Sequence, residues 1–254
     1  MAGNSAQAYV DPSAVVSPEA RILPGCWIGP GVVVQAGCTI GPHAVVGCEA
    51  PDGPRGGAAI GAGAWVGPHV CIEPGASIAE ECRIGPYSLI RGNAKIEKGA
   101  YVGPRCSIMD SALVREYANL IADVYVSEYT VCGAHCHISP GVCIVNDRYP
   151  PTALDVQGPV IGDCAVIGVQ AVIWPGVKIG YHAMVAALAE VKQDVPDYVL
   201  VRGRPARPVC DVRQIRMKLQ DKWVYPYPWM RLNMPQEDIT RPAYDPRKAR
   251  SRGH

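Results

Sequence analysis

The chain contains no phenylalanine and no stretch near the ~20 consecutive apolar residues of a membrane span. Its first residues, MAGNSAQAYVDPSAVV, lack the basic start and long apolar run of a signal peptide. The formal net charge is only +1, so no excess of basic groups is present to bind nucleic acid or another polyanion. No two cysteines stand in a Cys-x-x-Cys spacing, a frequent signature of zinc and dithiol sites. These absences predict a cytoplasmic protein that contacts neither membrane nor nucleic acid and holds no metal.

What the chain has is a repeat of six residues. An aliphatic residue returns at every sixth position from Val10 to Val46, from Ile60 to Ile144 and from Ile161 to Val191, with Cys132 as the one exception. A small or slim side chain stands two residues earlier, and glycine often follows. A short period sustained over most of a chain is typical of a solenoid, and a hexapeptide period is typical of a β-helix. Three hexads close one triangular coil, so the 28 hexads predict about nine coils.

This pattern resembles the left-handed β-helix of the hexapeptide-repeat acyltransferases, over roughly Val10 to Arg207. The resemblance implies an all-β, left-handed parallel β-helix that assembles as a homotrimer and takes its acyl group from acetyl-CoA. We expect the β-helix domain to cover residues 1–207, with loops at 47–59 and 145–160. Residues 208–254 then form a C-terminal segment, with a short helix over Cys210 to Lys222 and an extended Pro-rich, basic tail.

The repeat also interprets the cysteines. Five of the 11 cysteines occupy the small inward position of their hexads: Cys26, Cys38, Cys82, Cys106 and Cys136. A thiol there replaces alanine or valine and behaves as a small apolar group. We therefore predict that these five are buried, reduced and not bound to metal, as is usual in a reducing compartment.

Function is sought where the repeat breaks, because regular coils serve as scaffold. The first break, 47–59, is rich in glycine and proline and is interpreted as a surface loop. The second begins directly after Ile144 with Asn146-Asp147-Arg148-Tyr149, and Pro150-Pro151 then forces an extended path. Its density of hydrogen-bonding side chains makes the second break the better candidate site.

The Asn-Asp-Arg-Tyr-Pro segment is similar to a loop of bacterial nucleotide-sugar N-acetyltransferases, which acetylate an amino group of an amino-deoxysugar nucleotide. The resemblance places Asn146 beside the sugar amine. An amide carbonyl can orient an amine, and positioning supplies much of the rate when a good nucleophile attacks a thioester. For Asp147 two roles stay open: it holds the sugar or a histidine, or it caps the loop's own amides.

Two histidines are candidates for a general base, if one is needed. His135 stands three residues after an inward position, where corners favour polar residues, and corner residues can reach into a cleft between subunits. His137 occupies an outward position on a flat face. Counting eighteen residues per coil places His137 in one column with Trp65, Arg83, Tyr101 and Asn119, which we interpret as a subunit contact or a wall of the site.

The resemblance also implies where acetyl-CoA binds: along a cleft between neighbouring chains, near the C-terminal end of the helix. The corresponding residues are Gly168, Val169, Ala187, Lys192 and Arg204. The chain departs from the family pattern at Leu188, where a small residue is usual. Leucine is a poor substitute for glycine if that corner needs a positive φ, so a different acyl donor or a reshaped binding mode for the CoA tail stays open.

Three other functions are compatible with this fold. An O-acetyltransferase would depend more heavily on a histidine base. A γ-type carbonic anhydrase needs three zinc-binding histidines, two of them close in sequence. His135 and His137 lie on different faces of one hexad, which makes it awkward for both to bind the same zinc ion. A β-helix without catalysis would serve assembly. The intact loop after Ile144 weighs against a β-helix without catalysis, and the departures at the acetyl-CoA residues weigh for it. We expect an N-acetyltransferase of an amino-sugar nucleotide, with the O-acetyltransferase as the nearest alternative.

Overall fold

The computed structural model describes residues 7–48, 56–151 and 154–216. Within them the chain forms three sheets, in which each strand pairs in parallel with the strand one coil away; the exception is the last strand of the third sheet, which is antiparallel. The sheets form the three faces of a left-handed β-helix, which confirms the predicted fold class, with about ten coils instead of nine.

We name the sheets A, B and C in the order in which the chain meets them. Sheet A contains β1 Tyr9–Val10, β4 Trp27–Ile28, β7 Val45–Val46, β10 Cys71–Ile72, β13 Leu89–Ile90, β16 Ser107–Ile108, β19 Tyr125–Val126, β22 Cys143–Ile144, β25 Val172–Ile173 and β28 Glu190–Val191. Sheet B contains β2 Val15–Val16, β5 Val33–Val34, β8 Ala59–Ile60, β11 Ser77–Ile78, β14 Lys95–Ile96, β17 Leu113–Val114, β20 Val131–Cys132, β23 Val160–Ile161 and β26 Lys178–Ile179. Sheet C contains β3 Arg21–Ile22, β6 Thr39–Ile40, β9 Trp65–Val66, β12 Arg83–Ile84, β15 Tyr101–Val102, β18 Asn119–Leu120, β21 His137–Ile138, β24 Val166–Ile167, β27 Met184–Val185, β29 Val199–Gly203 and β30 Ala206–Asp211. The turns after sheets A, B and C are the A–B, B–C and C–A corners.

The core is the interior of the prism. The second residue of each short strand points inward, as does the small residue two positions before it; Ile84 and Cys82 are both 0% exposed. Burying an aliphatic side chain of this size contributes about 1.5–3 kcal/mol, and the stack repeats it coil after coil. The predicted burial of Cys26, Cys38, Cys82, Cys106 and Cys136 is confirmed.

Most corners turn through a left-handed residue. At these corners the third residue after the inward residue of the strand has a positive φ, for example His43 (58°), His135 (54°) and Leu188 (61°). Residues other than glycine rarely adopt this conformation. Side chains at this position lie above one another in successive coils, so rings stack there, as do those of His43 and His69 at 5.1 Å.

The C-terminal end is capped by an antiparallel hairpin of β29 and β30. The predicted helix over Cys210 to Lys222 is wrong in its described part, because Cys210 and Asp211 belong to β30. Only one 3-10 turn follows, Val212–Gln214. Pairing with β29 satisfies the backbone of this segment, which outweighs its local helical pattern; the rest of the predicted helix lies outside the described residues. Among the residues that the structure describes, no helix has the length and hydropathy of a membrane span.

Candidate active site

The second break leaves the solenoid at the A–B corner, immediately after β22. Its two arms meet near the root, where Asp147 and Val156 form an antiparallel bridge. The Gln157 N–H donates to the Asn146 carbonyl at 2.8 Å. The Tyr149 N–H donates to Asp147 Oδ1 at 2.8 Å, so the carboxylate caps the loop's own backbone. This geometry matches the capping role considered for Asp147.

Asn146 lies at the root of this loop and is partly buried. Its Nδ2 donates to the backbone carbonyl of Glu128, one coil below, at 3.5 Å. Under it lie two buried hydroxyls, Ser127 and Thr130, whose oxygens are 3.1 Å apart. With Nδ2 directed at the coil below, Oδ1 is the atom of Asn146 left to accept a hydrogen bond from a ligand.

His135 lies at the B–C corner. Its ring stacks on Tyr117 with centroids 5.2 Å apart and planes 13° from parallel. The backbone N–H of His135 donates to the backbone carbonyl of Glu116 at 3.0 Å. Glu116 and Glu97 share a side-chain hydrogen bond, which raises the pKa of Glu97 and lowers that of Glu116. The His135 ring is therefore held by stacking on Tyr117 and lies beside the carboxyl groups of Glu97 and Glu116.

His137 lies on the outer surface of sheet C. The predicted column is confirmed, because Trp65, Arg83, Tyr101, Asn119 and His137 are successive register partners. The Asn119 amide and His137 Nδ1 are 3.5 Å apart. Burial lowers the pKa of His137, which favours the neutral imidazole.

One chain does not bring the predicted catalytic residues together. Asn146 and Asp147 are at the A–B corner, His135 is at the B–C corner and His137 is on the face of sheet C. Sheet B separates Asn146 from His135. A site that uses both needs a second chain.

Four of the five residues predicted to contact acetyl-CoA share the C–A corner. Gly168 and Val169 follow β24, and Ala187 follows β27 in the next coil. A Cβ at Gly168 would lie 2.4 Å from the Ala187 nitrogen, so these two coils approach closely because Gly168 lacks a side chain. Arg204 Nε donates to the Leu188 carbonyl at 2.7 Å, which places the guanidinium at this corner too.

Leu188 carries a larger side chain than Gly168 and Ala187 at this corner. Its φ of 61° is the conformation for which glycine is suited, and its N–H donates to the Val169 carbonyl at 2.8 Å. The side chain is 51% exposed. An apolar side chain therefore projects from the corner that Gly168, Ala187 and Arg204 form.

The fifth predicted residue, Lys192, lies at a different corner. It follows β28 of sheet A and therefore stands at the A–B corner with Asn146. Its Nζ is 4.4 Å from the centroid of the Trp174 ring and 2.9 Å from Glu190 Oε1. Sequence reasoning missed Trp174 and Glu190. Counting eighteen-residue coils would have separated Lys192 from Arg204, because they follow strands of different sheets.

No group of three or more His, Cys, Asp or Glu side chains is placed to hold a metal ion within 7–48, 56–151 and 154–216.

Comparisons with known proteins agree with this architecture. Residues 19–50 match the family described as bacterial transferase hexapeptide (six repeats), and residues 56–150 match the one described as the GMPPB C-terminal domain.

Among curated proteins, the chain is similar to two enzymes named 2,3,4,5-tetrahydropyridine-2,6-dicarboxylate N-acetyltransferase. The one from Brevibacillus brevis is 44% identical over 87 residues, which are 34% of this chain and 34% of that protein. The one from Alkaliphilus metalliredigens is 42% identical over 77 residues, which are 30% of this chain and 31% of that protein. The chain thus spans about a third of the length of the curated relatives it matches.

Among solved structures, the chain is similar to the UDP-N-acetylglucosamine acyltransferase of Arabidopsis. The TM-score is 0.52 at 19% identity, covering 79% of this chain and 73% of the other. This likeness concerns the fold. In its six-residue repeat, its left-handed solenoid and these matches, the chain is similar to the hexapeptide-repeat transferases.

Proposed function

We propose that this protein transfers an acetyl group from acetyl-CoA to the amino group of an amino-deoxysugar nucleotide. The observation that carries the proposal is the placement of Asn146. Its side chain contacts the Glu128 carbonyl in the coil below at 3.5 Å and its carbonyl accepts from the Gln157 N–H at 2.8 Å, at the root of a loop that leaves the solenoid. An amide held in this way can accept a hydrogen bond from an amine N–H through Oδ1 and orient the nitrogen lone pair.

The chemistry needs little beyond positioning. The amine nitrogen attacks the thioester carbonyl carbon, the C–S bond breaks, and CoA leaves as its thiolate while the nitrogen loses a proton. A neutral amine attacks through its lone pair and loses its proton afterwards. Holding the amine and the thioester together therefore supplies much of the rate. A histidine then assists proton removal and is not essential.

Two features of the C–A corner support it as the binding site for acetyl-CoA. The close approach of Gly168 and Ala187 leaves a surface of small residues suited to a slim chain, and Arg204 offers a guanidinium for phosphate. Leu188 narrows this surface. The corner would bind and orient the donor, and the donor supplies the acetyl thioester.

A homotrimer completes the site in this proposal. Because Asn146 and His135 lie on opposite sides of sheet B, the histidine that assists Asn146 belongs to a neighbouring chain. Flat faces and ring-lined corners allow three such prisms to pack side by side.

A second acceptor class has its own support. The curated relatives are named for a tetrahydropyridine dicarboxylate acceptor and are 42–44% identical to this chain over their matched parts. We therefore carry an amino or imino dicarboxylate as the alternative to a nucleotide sugar. An O-acetyltransferase is the third candidate.

The test is release of CoA thiol by the purified protein, in the presence of acetyl-CoA and a panel of acceptors. The panel pairs each amino-sugar nucleotide with its hydroxyl counterpart and adds a 2,6-dicarboxylate. The proposal expects thiol release with an amino-sugar nucleotide and little with its hydroxyl partner. Release with the dicarboxylate alone would assign the alternative, and no release with any acceptor would contradict acyl transfer to this panel.

A further inference from the structure

We infer that Lys192 binds the negatively charged group of the acceptor, and not the phosphates of acetyl-CoA. The inference rests on the proposed function, in which Asn146 marks the acceptor side. Its basis is the cluster of Trp174, Glu190 and Lys192 at the A–B corner, which we call the Trp174 cluster.

The register of sheet A places this cluster directly above the root of the loop. Ile144 pairs with Ile173, and Ile173 pairs with Val191. The next residue of each coil is therefore Val145, Trp174 and Lys192 in ascending order. The Trp174 ring lies one coil above the segment that carries Asn146, about 4.8 Å higher.

Two hydrogen bonds join Asn146 to the turn that carries Trp174. The Gln157 N–H donates to the Asn146 carbonyl at 2.8 Å, and the Gly176 N–H donates to the Gln157 carbonyl at 2.9 Å. A Cβ at Gly176 would lie 2.6 Å from Gln157 Oε1, so the returning arm of the loop packs against this turn. The loop root and the Trp174 cluster form one continuous surface.

The cluster directs Lys192 down toward that surface. The ammonium lies 4.4 Å from the Trp174 ring centroid, in the coil beneath its own. Glu190 Oε1 accepts both from Trp174 Nε1 at 3.1 Å and from Lys192 Nζ at 2.9 Å. One carboxylate oxygen thus holds both the ring and the ammonium. A lysine side chain that is already restrained loses less rotamer freedom when it binds an anion.

The ammonium keeps donors for a ligand. A lysine has three N–H groups, and Glu190 takes one of them. The Lys192 side chain is 43% exposed. The hydrogen bond from Lys192 lowers the pKa of Glu190, so this carboxylate stays ionised at neutral pH. The chemistry that fits is a phosphate or carboxylate oxygen, which either acceptor class supplies.

Arg204 serves as the contrast. It lies at the C–A corner, where its Nε donates to the Leu188 carbonyl at 2.7 Å beside Gly168 and Ala187. The two basic residues that the sequence grouped together therefore face different corners. We assign Arg204 to the donor and Lys192 to the acceptor.

The experiment compares Lys192→Gln and Arg204→Gln, with Lys178→Gln as control, since Lys178 is an exposed lysine on sheet B. In the transfer assay, Lys192→Gln should raise the KM for the acceptor roughly 10- to 100-fold, as loss of a hydrogen bond to a charged group can. Its KM for acetyl-CoA should stay unchanged. Arg204→Gln should show the reverse, and Lys178→Gln should alter neither KM. An increase in the acetyl-CoA KM alone for Lys192→Gln, or no change in either KM, overturns the inference.

A binding arm keeps this test separate from the proposed function. Pyrophosphate and pyridine-2,6-dicarboxylate are titrated calorimetrically into the wild type and into Lys192→Gln, and the tighter probe shows which anion source fits. We expect at least one probe to bind the wild type and to lose about tenfold or more in affinity in the variant. Equal binding by the two proteins, or no binding of either probe to the wild type, overturns the inference. Wild-type probe binding that depends on Lys192, without thiol release in any acceptor mixture, contradicts only the proposed function.

Discussion

At most corners the third residue after the inward residue has a left-handed backbone, and ring side chains at this position stack on one another. Four of the six histidines occupy this position: His43, His69, His135 and His182. Stacking holds the His135 ring on Tyr117. A ring in such a stack is positioned before any ligand arrives, yet its stacking alone is not evidence of catalysis, because His43 and His69 stack in the same way far from the loop.

Replacing the two candidate bases, His135 and His137, distinguishes N-acetylation from O-acetylation. We predict that the double variant His135→Asn and His137→Gln retains transfer to an amine within about tenfold of wild type, because a neutral amine attacks unaided. Asparagine tolerates the left-handed backbone of His135. The kcat of wild type and variant is compared on the amine acceptor. A loss of ~10²–10⁴-fold, the usual effect of removing a general base, would instead indicate a hydroxyl acceptor.

His137 gives stability a pH dependence. Burial lowers its pKa in the folded state, so the unfolded chain, with a pKa of about 6.5, binds the proton more readily. Stability should therefore be unaffected above that value and should fall as the pH drops through about 6.5 toward the lowered folded pKa. We predict that Tm falls less between pH 7.5 and 5.5 in His137→Gln than in wild type. Equal falls in the two proteins would show that His137 does not titrate in this way.

The inward thiols should be inert. Burial raises the pKa of Cys82 and of Cys106 to about 11, and that of Cys136 well above the ordinary value. Thiolate is the reactive form. We predict that a thiol reagent at pH 8 modifies the exposed Cys48 rapidly and leaves Cys26, Cys38, Cys82, Cys106 and Cys136 unmodified until the protein is unfolded. Rapid native labelling of all five, or stoichiometric zinc, would contradict this.

At the scale of the coil, the corners limit which residues fit. A Cβ at Gly103 would lie 1.2 Å from the Ile121 carbonyl oxygen in the coil above. Gly63 has a φ of +67° and nothing within 4 Å of an added Cβ. Gly103 is needed because a side chain there would have no room against the next coil, whereas Gly63 is needed only for its left-handed backbone conformation.

We therefore predict opposite outcomes for two substitutions. Gly103→Ala should cost more than about 2 kcal/mol by overpacking, which lowers Tm by roughly 4–8 °C in a chain of this size. Gly63→Asn should change Tm by less than about 3 °C, because asparagine tolerates the left-handed region. Thermal denaturation of both variants checks this. Equal losses would mean that space between coils is not the limiting factor.

The six-residue period predicted most of the fold because it assigns every residue an inward, outward or corner position. The column from Trp65 to His137 and the burial of Cys136 followed from counting alone. The C-terminal segment did not, since the pairing of β30 with β29 is a tertiary contact that the local pattern of Cys210 to Lys222 cannot show. The Trp174 cluster was missed because Trp174 replaces the glycine common after an inward residue, and only the register shows that it lies above Asn146.

Assembly is the claim that belongs to the whole molecule. Asn146 and His135 are on different corners of one prism, so a site containing both needs a neighbouring chain. We predict a homotrimer with parallel axes, with a mass about three times the 27.1 kDa of one chain. Sedimentation equilibrium at micromolar concentration measures it. A monomer under those conditions would contradict both the assembly and the shared site.

The central claim is that the acceptor amine is held at Asn146, and the most direct measurement is the transfer rate of Asn146→Ala with an amine acceptor. Asn93→Gly is the matched control: it removes an amide at the same corner, three coils below the loop, where the φ of 57° suits glycine. We predict that Asn146→Ala lowers kcat/KM roughly tenfold to a thousandfold, as loss of a positioning hydrogen bond can, with Tm unchanged. Asn93→Gly should remain close to wild type. Full activity in Asn146→Ala would contradict the account and place the chemistry elsewhere on the molecule.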